Sequence, residues 1–178
     1  MAVFFRQYFL GCLSHASYLI GDETTGRAVV VDPQRDIDAY LADADEAGLT
    51  IEKVIETHFH ADFLSGHLEL AAKTGAEICY GEAADADFPI THLRDGDAVP
   101  LGDVALEIRT TPGHTPESIS VVVLLELLYR PPPFKAELRL TVQLVSVVVP
   151  PDLVPTPPPV REEELPLMVQ FVSVVMSP

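Results

Sequence analysis

The segment THFHADFLSGH at residues 57–67 gathers side chains of the types that bind metal ions. They are His58, His60, Asp62 and His67. Histidines two positions apart on an extended segment point to the same side, so His58 and His60 can enter one coordination sphere. A separate histidine, His114 in TPGHTPES, follows the next predicted strands and can reach the same end of a sheet. The spacing therefore predicts a metal site.

The ligand set decides which chemistry such a site supports. Three neutral imidazoles suit zinc or iron(II), and a bound cation lowers the pKa of its water to about 7, which creates a hydroxide nucleophile. Asp62 is the candidate catalytic residue, because it can accept a hydrogen bond from that water or bind a second ion. Two histidines with one carboxylate would instead suit iron(II) and oxygen chemistry. The spacing of the residues alone does not decide between these two ligand sets.

The remaining histidines and Asp32 are less expected to bind the metal directly. His15 and His92 are expected to be surface or hydrogen-bonded residues outside it. His67 fits an exposed position at the start of a helix better than a ligand position. Asp32 either orients a metal-binding histidine or forms an ordinary Asp-Pro turn.

Periodicity places these motifs in an alternating α/β domain. Strands are predicted at residues 3–9, 16–20, 27–31, 51–55, 78–80, 104–108 and 119–125. Asp36 is expected to cap a first helix that ends at Gly48. Ser65 is expected to cap a second helix over 66–74. The strand at 51–55 leads directly into the histidine segment, and function concentrates in loops at strand ends.

The last 58 residues have a different composition from the rest of the chain. They hold 11 of the 16 prolines and no glycine, between Val and Leu runs. Proline removes ladder donors and glycine supplies tight turns, so this tail is not expected to continue a sheet. We therefore divide the chain into a partial domain at 1–120 and a Pro/Val/Leu-rich tail at 121–178. The tail is interpreted as the product of a shifted reading frame or as a divergent end.

Composition limits the classes of partner. A net charge of −16 argues against nucleic acid and anionic membrane surfaces, which attract clustered Lys and Arg. Cys12 and Cys79 form no CxxC pair, which suits a reducing compartment, so the cytoplasm is expected. The chain has 178 residues, enough for one domain with a sizeable core, and no apolar run approaches the ~20 residues that span a bilayer. The protein is expected to be soluble.

The motifs THFHADFLSGH and TPGHTPES, with RQYFLGCLSHASYLIGDE and AVVVDPQRDIDAYL, resemble the metallo-β-lactamase superfamily. The resemblance covers about residues 4–120 and is to the persulfide dioxygenase-like and glyoxalase II-like branch. It implies an αββα sandwich with the metal at one edge. Likeness to persulfide dioxygenases implies iron held by His58, His114 and an aspartate from a later GD motif. Likeness to glyoxalase II implies metal binding by His58, His60, Asp62 and His114, with the same later aspartate.

Two departures from the family pattern bear on function. Phe63 stands where dinuclear members have histidine, which favours a single iron(II) ion over a zinc pair. The later GD motif is absent, and Asp152 in PPDLVP does not resemble its setting. The fold is therefore expected to be an incomplete sandwich. Three functions stay open: a dioxygenase acting on a small thiol persulfide, a hydroxyacylglutathione-type thioester hydrolase, and an inactive domain with a partial metal site. A homodimer is also left open.

Overall fold

The computed structural model describes residues 3–125, 141–144 and 174–175, and within them two sheets face each other. The first sheet has six strands in sequence order. They are β1 (Val3–Leu10), β2 (His15–Asp22), β3 (Arg27–Val31), β4 (Thr50–Ile55), β5 (Glu77–Gly81) and β6 (Thr91–Leu93). The first three strands pair antiparallel, whereas β3, β4, β5 and β6 pair parallel. Their carboxyl ends therefore meet at one edge.

The second sheet is antiparallel throughout the described strands. Its strands are β7 (Ala98–Pro100), β8 (Val104–Thr110), β9 (Ile119–Leu125), β10 (Thr141–Leu144) and β11 (Val174–Val175). The order is β11-β10-β9-β8-β7, and β8 pairs with β9 along seven residue pairs from Val104–Leu125 to Thr110–Ile119. The short strands β6, β7, β10 and β11 were not predicted from periodicity, because two to four residues carry too little pattern.

Two helices in the described residues connect the parallel strands. Helix α1 (Asp38–Glu46) links β3 to β4, and α2 (His67–Thr74) links β4 to β5. Asp36 Oδ1 accepts the N–H of Asp38, and Ser65 Oγ accepts the N–H of His67. Each helix begins one residue later than expected, so the N-cap residues are Ile37 and Gly66, and neither makes a side-chain cap bond. The prediction that Asp36 and Ser65 are the caps was therefore wrong, because each lies one position before the cap. Neither helix is long and apolar enough to cross a bilayer.

Strand alternation sends side chains of the first sheet into two cores. One face packs against the second sheet, with Ile20, Val31 and Ile55 meeting Leu106, Ile108 and Val121. The other face packs under the helices, where Leu19, Val30 and Val54 meet Tyr40 and Leu70. These layers confirm the predicted α/β class. Among the described residues, no helix covers the outer face of the second sheet.

The expectation that the tail does not continue a sheet differs from the structure at two short segments. Strand β10 lies antiparallel to β9, with Val142 opposite Val123, and β11 pairs with β10. The chain holds no proline between Pro133 and Pro150, so the backbone of β10 keeps its N–H donors. The proposed boundary at 120 also falls inside β9. The rest of the tail lies outside the described residues.

Asp43 of α1 ties the helix to β1, and its loss should be measurable. Tyr8 Oη donates to Asp43 Oδ2 at 2.6 Å, and this bond, with Arg6, outweighs burial and lowers the pKa of Asp43. Asp43→Ala should cost about 1.5 kcal/mol of stability at pH 7. A lowered folded-state pKa stabilises above the unfolded value, so the difference from the parent protein should shrink below about pH 4. Urea unfolding across pH 3 to 7 measures it, and a constant difference would contradict this role.

Candidate metal centre

The candidate site lies at the edge where the parallel strands of the first sheet end. Asp32 follows β3 directly, and Glu56, Thr57 and His58 follow β4. The loop that carries His114 approaches from the second sheet, because the N–H of Ile119 donates to the carbonyl oxygen of Thr57 at 2.9 Å. The two motifs that are 56 positions apart in sequence are therefore held side by side by backbone pairing.

Three of the predicted metal ligands form a cluster of imidazoles. The ring centroids of His58 and His60 are 4.0 Å apart, and those of His58 and His114 are 4.9 Å apart. His58 is buried and His114 is exposed, so the cluster runs from the interior to the surface. Asp62, the fourth predicted ligand, is exposed, and its place in a metal site stays a prediction.

A short hydrogen-bond chain sets which nitrogen His58 offers to a ligand. Thr57 Oγ1 donates to Asp32 Oδ2 at 2.7 Å, so its lone pair is left to accept from His58 Nδ1 at 3.0 Å. Nδ1 then carries the proton, and Nε2 is the free donor to a metal. Asp32 Oδ1 also accepts the N–H of Thr57 at 2.7 Å. Asp32 itself has a positive φ of 49°, a conformation that this contact helps to maintain. Asp32 can therefore orient His58 through the hydroxyl of Thr57, which is one of the two roles expected for it.

The side chain of His60 points its Nε2 toward two buried carboxylates. Its Nε2 lies 3.2 Å from Asp32 Oδ1 and 3.6 Å from Glu56 Oε2. Burial works to lower the pKa of His60, but Asp32 and Glu56 outweigh it, so the pKa is raised. Among the described residues, the set whose ligand atoms all lie within 4.8 Å of one another is Asp32, Glu56 and His60. That set does not include His114.

Glu56 is a site residue that the sequence reasoning missed. It is only 1% exposed, and burial raises the pKa of its carboxyl. Ser65 Oγ donates to Glu56 Oε1, and His67 Nδ1 lies 3.2 Å from the same oxygen. The available signal was a glutamate at the end of an apolar strand, immediately before the histidine motif, where an acidic residue needs a partner.

Glu117 is a second acidic residue that was missed. Its Oε1 accepts the N–H of Phe59 at 2.9 Å, so the loop of His114 directly holds the segment between His58 and His60. Burial works to raise the pKa of Glu117, but hydrogen bonds led by that of Phe59 outweigh it and lower the pKa. Glu117 therefore remains a carboxylate at neutral pH and joins the two motifs.

The other histidines divide between the site and the surface. His92 is exposed in β6, as predicted. His15, expected outside the site, is instead buried against it, with its ring 4.0 Å from Phe63 and 5.7 Å from His60. The turn before β2 brings His15 to this edge, and a single histidine in a sequence gives no sign of such a tertiary contact. His67 stacks on Phe88 at 5.2 Å, beside Glu56.

The residues at this edge fit a transition metal. His58 and His114 are imidazole donors, and burial, with the neighbouring His60, lowers the pKa of His58. His58 is therefore neutral at pH 7, which is the form that binds a metal. Asp32 and Glu56 supply negative charge behind the imidazoles, as the carboxylates around metal-bound histidines do.

Removing the hydroxyl of Thr57 should loosen His58 without changing the size of the side chain. Thr57→Val breaks the bonds to His58 Nδ1 and Asp32 Oδ2, so we expect the affinity for a divalent transition metal to fall about 10- to 100-fold. Thr57→Ser keeps the hydroxyl and should restore affinity. Thr50→Val, at the exposed start of β4, is the matched control. Equal affinities in all four proteins by metal titration would remove Thr57 from the site.

Comparison with known proteins assigns the family. The model of the Metallo-beta-lactamase superfamily matches residues 10–126. The mitochondrial persulfide dioxygenase ETHE1 of Bos taurus is 35% identical over 127 residues, which are 68% of this chain and 48% of that protein. The hydroxyacylglutathione hydrolase of Hyphomonas neptunium is 33% identical over 119 residues, covering 65% of this chain and 46% of that protein. The chain therefore spans about half the length of the curated relatives it matches.

A solved structure agrees with the sequence comparison. The metallo-beta-lactamase from Staphylococcus aureus subsp. aureus COL matches with a TM-score of 0.66 and 44% identity, covering 71% of this chain and 40% of that one. The partial coverage fits an incomplete fold. With its two facing sheets and its histidine edge, this chain belongs to the metallo-beta-lactamase superfamily.

Proposed function

We propose that this chain carries the metal-binding half of a persulfide dioxygenase-like site, which holds one iron(II) ion through His58 and His114. The observation that carries the proposal is the approach of His58 and His114, whose ring centroids are 4.9 Å apart although they come from different sheets. His60 turns Nε2 toward Asp32 and Glu56, which leaves only its Nδ1 for the ion. The likeness to persulfide dioxygenases, and Phe63 in place of a further histidine, support the same assignment.

The chain's own residues would position the ion and the substrate. Thr57 presents Nε2 of His58, and Glu117 holds the backbone between His58 and His60. Iron(II) bound there would supply the activation of oxygen. Asp62, exposed at the same loop, would shape the water network and hold a proton near the substrate. The substrate we propose is a low-molecular-weight thiol persulfide, and the proposed compartment is the cytoplasm.

A thioester hydrolase of the hydroxyacylglutathione type is the second candidate. It is favoured by the short distance between the rings of His58 and His60, 4.0 Å, which would let both bind one ion if His60 used Nδ1. Zinc would then be the metal, and a metal-bound hydroxide would be the nucleophile. Phe63 argues against a second ion in this assignment.

A third candidate is a domain with a partial metal site and no activity. The carboxylate that the family supplies from a later GD motif has no counterpart in the sequence. A site short of one ligand orients its ion poorly. This proposal predicts weak, exchangeable metal binding without turnover.

Measurements of metal content and turnover on the full 178-residue chain distinguish the three candidate functions. Monodisperse protein purified with iron(II) or zinc is analysed for bound metal, then assayed for oxygen uptake with glutathione persulfide and for hydrolysis of S-lactoylglutathione. Near-stoichiometric iron with persulfide-dependent oxygen uptake supports the dioxygenase. Zinc-dependent thioester hydrolysis overturns it in favour of the hydrolase. Absence of both activities in metal-loaded protein favours the inactive domain.

A further inference from the structure

We propose that Tyr40 of helix α1 is a positioning residue for the metal site and acts through its buried hydroxyl. Its Oη accepts the N–H of Gln34 at 2.9 Å and shares a hydrogen bond with Oγ of Ser17 at 2.5 Å. Gln34 lies two positions after Asp32, in the loop that connects β3 to α1. The hydroxyl therefore ties this loop to β2. The role rests on the proposed function, since it assumes that His58 binds the metal.

Packing does not explain why hydroxyl groups lie at this place. Tyr40 is 1% exposed and Ser17 is 0% exposed, and the Tyr40 side chain lies in the same core as Leu19 and Val30. A polar group buried in an apolar core costs free energy unless it is hydrogen-bonded, and Phe beside Ala would avoid that cost. The bond that the hydroxyl pair makes to backbone is the one from Gln34, in the loop after β3.

The backbone at Asp32 explains why this loop needs to be held. Asp32 has a φ of 49°, in the left-handed region that residues other than glycine rarely adopt. Such a conformation persists only where the surrounding structure holds it from several sides. On one side, the carbonyl oxygen of Pro33 accepts from Ser65 Oγ at 3.1 Å. On the other side, Pro33 has no N–H, so that of Gln34 is the first donor after Asp32, and Tyr40 binds it.

Asp32 passes the position of the loop on to the metal ligand. Its Oδ2 accepts from Thr57 Oγ1 at 2.7 Å, and Thr57 Oγ1 accepts from His58 Nδ1 at 3.0 Å. A rotation of the Asp32 backbone would lengthen the first of these bonds and release the tautomer of His58 that leaves Nε2 free for the metal. Tyr40 acts through this chain of contacts, so its loss should weaken metal binding without abolishing it.

The variant Tyr40→Phe removes the hydroxyl and keeps the ring. We expect its affinity for Co²⁺, measured by metal titration, to fall about fivefold, which is less than the loss typical of a group that contacts a ligand directly. Tyr8→Phe is the matched control, because the two rings pack 4.4 Å apart and the hydroxyl of Tyr8 bonds to Asp43 of the helix. It should lose comparable stability in urea and keep the parent affinity.

A second readout uses the metal-free protein and therefore does not depend on the proposed function. Two-bond proton–nitrogen NMR spectra at neutral pH report which nitrogen of His58 carries the proton. The parent protein and Tyr8→Phe should hold it on Nδ1, where Thr57 accepts it. Tyr40→Phe should show a mixture of the two tautomers.

The outcomes separate a positioning residue from a packing residue. If Tyr40→Phe keeps the parent's metal affinity and His58 tautomer, the proposed role is overturned. An equal loss of affinity in Tyr8→Phe would also overturn it, because lost stability would then be the cause. If the parent binds no metal, the tautomer decides: a mixture in Tyr40→Phe supports the role, and the parent tautomer overturns it.

A further variant keeps the test valid if Tyr40→Phe does not fold, which circular dichroism would show. Ser17→Ala removes the second partner of the Tyr40 hydroxyl and should shift the tautomer of His58 in the same direction. An unchanged tautomer in folded Ser17→Ala would then overturn the role. Failure of persulfide oxidation would leave all of these results unchanged.

Discussion

Replacing His58 with alanine is expected to remove the iron that we propose His58 and His114 hold, and to abolish any turnover that depends on it. His58 lies at the centre of the imidazole cluster, with its ring 4.0 Å from that of His60 and 4.9 Å from that of His114. Its Nδ1 is engaged by Thr57, so Nε2 is the donor that the substitution removes. Loss of a ligand from a site with few protein donors leaves the ion exchangeable.

Elemental analysis after desalting, together with iron(II) titration, measures this effect. His92→Ala is the matched control, because His92 is exposed in β6 and should leave the iron content unchanged. His114→Ala should resemble His58→Ala. Equal iron content in His58→Ala and His92→Ala would remove the His58–His114 assignment, whatever the activity of the parent protein.

Adding a methyl group at Gly81 is expected to give a large loss of stability for a small change. A Cβ at Gly81 would lie 2.1 Å from the carbonyl oxygen of Glu117 and 2.9 Å from Cγ2 of Ile119. The first contact is with backbone, which cannot rotate away, so the end of β5 and the start of β9 must move apart. We expect Gly81→Ala to lower the free energy of unfolding by about 3 kcal/mol.

The same displacement should reach the metal site. Glu117 holds the N–H of Phe59, so moving its backbone shifts the segment between His58 and His60. Urea unfolding gives the loss of stability, and iron(II) titration of the folded fraction gives the change in affinity. Gly11→Ala is the control, since a Cβ there meets nothing within 4 Å. A stability loss no larger than that of Gly11→Ala would show that the two sheets tolerate separation at this point.

The proposed domain boundary at residue 120 can be compared with the position of strand β9. Strand β9 crosses the proposed boundary at 120 and pairs with β8 along its length. Its Val121 and Val123 are buried in the core between the sheets. The core that supports the site therefore needs residues beyond Ser120, and the match of the family model to residue 126 agrees.

Local patterns in the sequence determined the α/β class, most of the longer strands, both helices and the histidine motif. Each of these depends on neighbours a few positions apart: apolar alternation in β8, the glycines Gly48 and Gly75 that end the helices with a positive φ, and the two-residue spacing of His58 and His60. Such spacing fixes which side of an element a residue faces, so it can be interpreted without the fold. The general preference of lone histidines for the surface correctly placed His92 outside the site.

Only the tertiary structure decided what surrounds those histidines. Glu56, Glu117 and His15 come to the site from a strand end, a distant loop and the first hairpin, and no periodicity links them. Their roles arise because burial leaves each polar group in need of a partner, and the packing of the two sheets decides which partner it meets. The inward direction of His60 toward Asp32 and Glu56 is the clearest case. The sequence determined that a histidine stands at that position, and the burial of two carboxylates behind it decided which way its Nε2 points.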